Sequence, residues 1–195
     1  MEKRGLTTAL VQQGVSQGED VVWGDEMRLG LHGQVRRRWT GRGVKLRQVV
    51  QLRYVWRYLA LTVSPSGQLR WTWISNMKKE SVAQAVIAWQ QAGVQAVVWD
   101  NASSHRANLV RAQPMKFIGL PAYAPELNPA ERVFEEIRRA VEGRVYADLE
   151  AKVQAVEAIL TDLAGHPDRV RRLAAWSWIA EALTQLPPPL HTAFS

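Results

Sequence analysis

The chain has 195 residues, 47% of them hydrophobic and 22% charged, which is enough to bury a proper core and is most simply one domain. Cysteine is absent, so disulfides, Cys-ligated zinc and thiol chemistry are excluded, leaving oxygen ligands and hydroxide nucleophiles. Lys and Arg number 25 against 18 Asp and Glu, a formal charge of +7 that favours a polyanionic partner such as nucleic acid. No apolar run approaches the roughly 20 residues needed to span a bilayer, and residues 1–20 carry no signal-peptide pattern, so a soluble, cytoplasmic protein with no membrane partner is expected.

In chain order, Val21, Val22 and Trp23 form an apolar run that stops at Gly24, Asp25 and Glu26, the pattern of a buried strand ending in an acid-bearing loop. Basic residues then crowd one stretch: Arg36, Arg37, Arg38, Arg42, Lys45, Arg47, Arg53 and Arg57, with Trp39 and Trp56 among them. Val50, Leu52, Tyr54, Trp56 and Tyr58 alternate with Gln51, Arg53 and Arg57, which predicts a strand over 50–58. Ser64, Pro65, Ser66 and Gly67 supply a turn, and Leu69, Trp71 and Trp73 resume the alternation, so the two runs read as an antiparallel hairpin.

Val82, Ala85, Val86 and Trp89 recur at helical spacing up to Gly93. Residues 94–99 are almost continuously apolar, as in a central strand covered on both faces, and deliver Asp100 at the carboxyl end. Residues 115–120 read as another short strand, 121–129 as a proline-rich loop, and Ala130, Val133, Phe134, Ile137 and Val141 as the apolar face of a helix. Two further helices are expected over 149–163 and 170–183. The order predicts an α/β fold: a mixed sheet, antiparallel through three strands and then parallel through helical crossovers, flanked by helices. The expected organisation is a lead-in segment (1–20), one domain (21–185) and a loose proline-rich tail (186–195).

Open α/β sheets bind their ligands beyond the carboxyl ends of strands, so Asp25, Asp100 and Glu131 can converge there. Three uncompensated carboxylates repel, whereas Mg²⁺ makes the same cluster favourable, and phosphodiester transfer is the reaction that suits such a site. Each acid also has a plainer reading. Asp25 is a turn acid and Asp100-Asn101 an Asx turn, while Asn128 (N-cap), Pro129 and Glu131 match a capping box. Glu26 follows Asp25 in extended chain and points to the opposite side; Glu135 and Glu136 fit a solvated helix face. His105 either orients Asp100, contacts a phosphate or caps its own turn. Trp39, beside three arginines, can stack on an exposed base.

Trp23-Gly24-Asp25-Glu26, then 100–105 (Asp-Asn-Ala-Ser-Ser-His), then 120–131 (Leu-Pro-Ala-Tyr-Ala-Pro-Glu-Leu-Asn-Pro-Ala-Glu) resemble the DDE catalytic domain of mariner-superfamily transposases, in the bacterial insertion-sequence branch. The likeness spans about 21–144. It implies an RNase H-like fold, with Asp25, Asp100 and Glu131 as catalytic residues holding two Mg²⁺ that Mn²⁺ can replace. It further implies cleavage and strand transfer on double-stranded DNA, with TA targets and a homo-oligomer assembled on DNA at the nucleoid. Two features depart from the pattern: the Asp100–Glu131 segment is shorter than usual, and Phe134 stands where tryptophan is common. Family members carry helix-turn-helix modules ahead of the first acid, so end recognition is expected from a separate module. The DNA face is expected at Arg36, Arg37, Arg38, Trp39, Arg42 and Lys45, with Asn101 and His105 orienting the second acid. The competing functions are a non-catalytic DNA-binding remnant and an RNase H-like nuclease that does not join strands.

Overall fold

Apolar residues directed to both sides of five strands build one sheet with two buried faces. A computed structural model describes residues 3–32, 39–45, 47, 49, 51–122 and 124–189. The elements are α1 (Lys3–Gln12), β1 (Val21–Gly30), β2 (Trp56–Val63), β3 (Leu69–Ile74), α2 (Lys79–Gln91), β4 (Ala96–Trp99), α3 (Asn108–Arg111), β5 (Lys116–Gly119), α4 (Ala130–Val141), α5 (Leu149–Ala164), α6 (Pro167–Ala174) and α7 (Ser177–Thr184). The strand order is β3-β2-β1-β4-β5. The β1–β2 and β2–β3 pairs are antiparallel, and β1–β4 and β4–β5 parallel, as the order of sequence patterns predicts.

On one face Val21, Trp23, Met27 and Leu29 of β1 pack with Leu59 and Leu61 of β2 beneath Val133, Phe134 and Ile137 of α4 and Leu160 of α5. On the other, Val22 and Val97 pack against Val82, Val86 and Trp89 of α2. Strand β4 is buried at all four positions, as a near-continuous apolar run requires. No described helix is long and apolar enough to cross a membrane.

The structure corrects the expected elements in four places. β1 does not stop at Trp23. It stays paired with β2 from Gly24, opposite Thr62, to Gly30, opposite Trp56, so Asp25 lies inside a strand rather than after one. β2 begins only at Trp56, because β1 ends opposite it and leaves the preceding residues without a ladder; Leu52 and Tyr54 are each 71% exposed despite their alternation. Val50 lies outside the described residues. The helix expected over 170–183 is two helices, broken where Ala175 and Trp176 leave helical geometry (ψ 61° and 146°). Residues 3–12, read as lead-in, form α1, whose Leu6 and Leu10 are fully buried beside α7. Burial of two such leucines is worth about 1.5–3 kcal/mol each.

The β2–β3 turn carries Gly67 at φ +96°, where a Cβ would lie 2.6 Å from the Pro167 carbonyl oxygen. Only glycine fits both the left-handed backbone and that close approach of α6.

Candidate active site

Strand register brings the first two acids level. Trp23 of β1 pairs with Val98 of the parallel strand β4, and Asp25 and Asp100 each lie two residues further on. Neighbouring strands run about 4.8 Å apart, and β4 ends at Trp99 while β1 continues, so Asp25 sits on the edge that β4 vacates.

Asp25 points to the α4 face, with Trp23 and Met27 on either side. Its Oδ1 accepts the Glu26 backbone N–H at 2.8 Å, and its Oδ2 accepts Asn128 Nδ2–H at 3.3 Å. Asn128, only 3% exposed, also donates to the Gly24 carbonyl at 2.9 Å, while its own Oδ1 accepts the Ala130 N–H at 3.1 Å. One side chain therefore fastens the start of α4 to β1 beside Asp25, and Glu131 follows in the first turn of that helix. The expected capping box forms only by half. Asn128 caps through its side chain and carbonyl, but Glu131 does not reach back; its Oε2 instead accepts Arg138 Nη1–H at 3.2 Å. A purely structural Glu131 loses its best support.

The electrostatics are those of crowded acids. Burial, followed by repulsion from Glu26, raises the Asp25 carboxyl to about 8 against the pull of the Glu26 N–H, and Glu131 and Asp100 add to the rise. Asp100 moves the other way, because the His105 imidazole hydrogen-bonded to it holds its pKa below the ordinary carboxylate value. Its Oδ1 lies 2.5 Å from His105 Nδ1, which also meets the Asp100 carbonyl oxygen at 3.3 Å, and accepts the Ala102 N–H at 3.0 Å, so the Asx turn and the acid's presence at the site coexist. Among the described residues, no three Asp, Glu or His side chains close into a cation's ligand shell. Asp100 leans toward His105 and Glu131 toward Arg138, so two of the acids are drawn to the chain's own cations. The donor set is nonetheless all oxygen and over-rich in negative charge, which suits a hard divalent cation.

His105 is 1% exposed and stacks on Trp99, ring centroids 3.6 Å apart, with its Nε2 3.2 Å from Glu26 Oε2. Burial opposes its charge, but the Asp100 and Glu26 carboxylates beside it outweigh burial and raise it to about 9. Burial drives the Glu26 carboxyl upward against the pull of His105. Asn101 turns away from Asp100 and donates through Nδ2 to the Leu120 carbonyl at 2.6 Å, tying the end of β4 to the end of β5. A Cβ on Gly119 would lie 2.7 Å from Asn101 Oδ1. Gly119→Ala is therefore expected to displace Asn101 and cost about 1–3 kcal/mol, read as a lowered midpoint in thermal denaturation; an unchanged midpoint would show that the loop yields freely.

Of the expected DNA contacts, Trp39 is wholly exposed, and Arg42 and Lys45 are exposed beside it. Arg36, Arg37 and Arg38 lie outside the described residues. Two other arginines of that stretch are engaged within the chain: Arg53 donates to the Ala147 carbonyl at 3.4 Å and Arg57 pairs with Glu150 at 3.3 Å. Glu135 and Glu136 pair along α4 with Arg132 and Arg139, as solvated helix acids do. Sequence reasoning missed the pairing of Glu26 with His105, the staple made by Asn128 and the partnership of Arg138 with Glu131. Only the last had a local signal, since positions seven apart share a helix face.

A family model described as DDE superfamily endonuclease matches residues 20–151. No curated protein sequence matches the chain. Among solved structures, the Mos1 strand transfer complex is similar at a TM-score of 0.66 and 16% identity, over 94% of this chain and 61% of that one. The mariner Mos1 paired-end complex with Mg is similar at a TM-score of 0.60 and 16% identity, over 96% and 63%. The catalytic domain of Mos1 mariner transposase is similar at 0.54 and 13% identity, over 92% and 90%. The chain thus spans about three fifths of the longer Mos1 chains and nearly all of the catalytic domain, and the shared architecture is RNase H-like.

Proposed function

The chain belongs to the DDE superfamily endonucleases, and from that premise we propose that it is the catalytic domain of a DNA transposase, cleaving phosphodiester bonds at element ends and joining the freed 3′ ends to target DNA. The observation that supports this reading is that strand register sets Asp25 level with Asp100 while Asn128 ties the start of the helix carrying Glu131 to the strand of Asp25.

These three acids are the proposed holders of two Mg²⁺ or Mn²⁺ ions. Such ions, when bound, supply Lewis acidity to both the attacking and the leaving oxygen of an in-line displacement. The rest falls to the chain. The Glu26 N–H and Asn128 hold Asp25 in a half-buried position, where its orientation is set before DNA arrives. Arg138, paired with Glu131 and more than a third exposed, can exchange that carboxylate for a phosphate oxygen of DNA. Trp39, Arg42 and Lys45 offer an exposed ring and two charges to the duplex or to an unpaired base. Specific end recognition is assigned to a helix-turn-helix module apart from this domain, with TA targets, an oligomer assembled on DNA and a place at the nucleoid as further parts of the reading.

The test is nicking of supercoiled plasmid, followed by joining assays with element ends. Nicking is expected with Mg²⁺ or Mn²⁺ and not with Ca²⁺, which prefers more ligands and looser geometry. Full cleavage in excess chelator would sink the metal reading. Nicking without any joined product would make the protein a nuclease, and binding without nicking would leave a DNA-binding remnant.

A further inference from the structure

Glu26 is an acid for which the proposed chemistry has no use. It lies on the sheet face opposite Asp25, its side chain is 6% exposed, and its Oε1 is buried without a hydrogen-bond partner. Keeping a carboxylate there is costly unless a partner compensates it. The compensating group is His105, which stands between Glu26 Oε2 at 3.2 Å and Asp100 Oδ1 at 2.5 Å, its ring lying within 21° of parallel to Trp99. Nδ1 also lies 3.3 Å from the Asp100 carbonyl oxygen, Nε2 is within ion-pair distance of Glu26 but outside hydrogen-bond geometry, and the stack on Trp99 fixes the ring's plane.

The consequence appears at Asp100. Its Oδ1 faces His105 Nδ1 at 2.5 Å and accepts the Ala102 N–H, and among the described residues Oδ2 accepts no hydrogen bond. The carboxylate is held by one oxygen with the other left over. We infer that Glu26 and His105 are a buried positioning pair that orients Asp100, reserving its Oδ2 for the cation of the active site. The inference rests on the reading of Asp25, Asp100 and Glu131 as ligands. Groups that hydrogen-bond a ligating carboxylate tune the site nearly as strongly as the ligands do, and their loss typically weakens metal affinity or activity by about 10–100-fold.

The experiment measures Mn²⁺ binding by the chain without DNA, from the free-ion electron paramagnetic resonance signal, with half-saturating Mg²⁺ in plasmid nicking as a second readout. His105→Phe keeps a flat ring on Trp99 but removes both donors, and the double variant Glu26→Leu/His105→Phe also removes the buried carboxylate. Both are expected to bind Mn²⁺ about 10–100-fold more weakly, and the double variant to melt near the wild type because no unpaired charge remains. If the double variant binds Mn²⁺ like the wild type, the pair is merely structural and the inference fails. A comparison that needs no apolar replacement sets His105→Asn, whose amide nitrogen falls where Nδ1 was, against His105→Gln, whose amide falls nearer Nε2. The Asn variant should bind Mn²⁺ better than the Gln variant; equal affinities would overturn the inference. Asp100→Asn serves as the control: if it too kept wild-type Mn²⁺ affinity, the ligand reading itself would be what failed.

Discussion

Asp25→Asn and Asp100→Asn are each expected to lower DNA cleavage on the order of a thousandfold, since a Lewis-acid contribution of several kcal/mol is lost and each 1.4 kcal/mol is a factor of ten. The fold should survive. At position 25 the amide oxygen still accepts the Glu26 N–H, and the change removes a charge that burial and Glu26, Glu131 and Asp100 all oppose, although the new amide nitrogen can no longer accept from Asn128. Asp25→Asn should therefore melt close to the wild-type temperature while losing activity, a combination that a merely structural aspartate would not produce. Glu131→Gln should match it in activity. Glu135→Gln, which alters only the exposed pair with Arg132, should be silent. If Glu131→Gln cleaved normally and Glu135→Gln were dead, the third ligand would be misassigned. Circular dichroism and a duplex-binding titration beside the cleavage assay separate these outcomes.

The second large effect is expected at a residue that is no ligand. Asn128→Ala strips the Gly24 carbonyl and the Ala130 N–H of their partner inside a buried junction and takes away the donor to Asp25 Oδ2. Each unsatisfied buried group costs about 1–3 kcal/mol, so a stability loss of about 2–4 kcal/mol in urea denaturation follows. That is a serious fraction of the 5–15 kcal/mol typical of a domain, yet short of unfolding it. Cleavage should fall on the order of a hundredfold, because Glu131 rides on the helix that Asn128 fastens and small misplacements of catalytic groups are costly. Asn128→Asp tests the geometry. It keeps the acceptor for Ala130 but puts a second carboxylate against Asp25 and loses the donor to Gly24, so it should be no better than the Ala variant. Near-normal cleavage in either variant would mean that α4 is held by its apolar face alone.

Much of this architecture is legible in the chain. The run from Val94 to Trp99 and the apolar face of α4 are local periodicities, and both elements form where the spacing puts them. The hairpin is legible at its turn but not at its start. Alternation at Leu52 and Tyr54 signals a strand only if a neighbouring strand extends to meet it, and β1 ends at Gly30. The same dependence hid the continuation of β1 through Asp25, which β2 holds in extended form. Helix α1 went unread because its value lies in Leu6 and Leu10 meeting α7 at the other end of the chain.

For the site, residue type and position along the chain marked which acids could serve, although only Asp100 follows a strand end while Asp25 lies within β1 and Glu131 in the first turn of a helix, and side-chain direction in regular structure is a local property. Alternation likewise placed Glu26 on the opposite face from Asp25. What those side chains would touch there was decided only by the tertiary structure. The pairing of Glu26 with His105, the hold of His105 on Asp100 and the staple from Asn128 to Gly24 and Asp25 depend on how β1 and β4 align and how α4 docks. Register and docking are set by the sum of many weak contacts across the whole sheet, so no short stretch of sequence contains them.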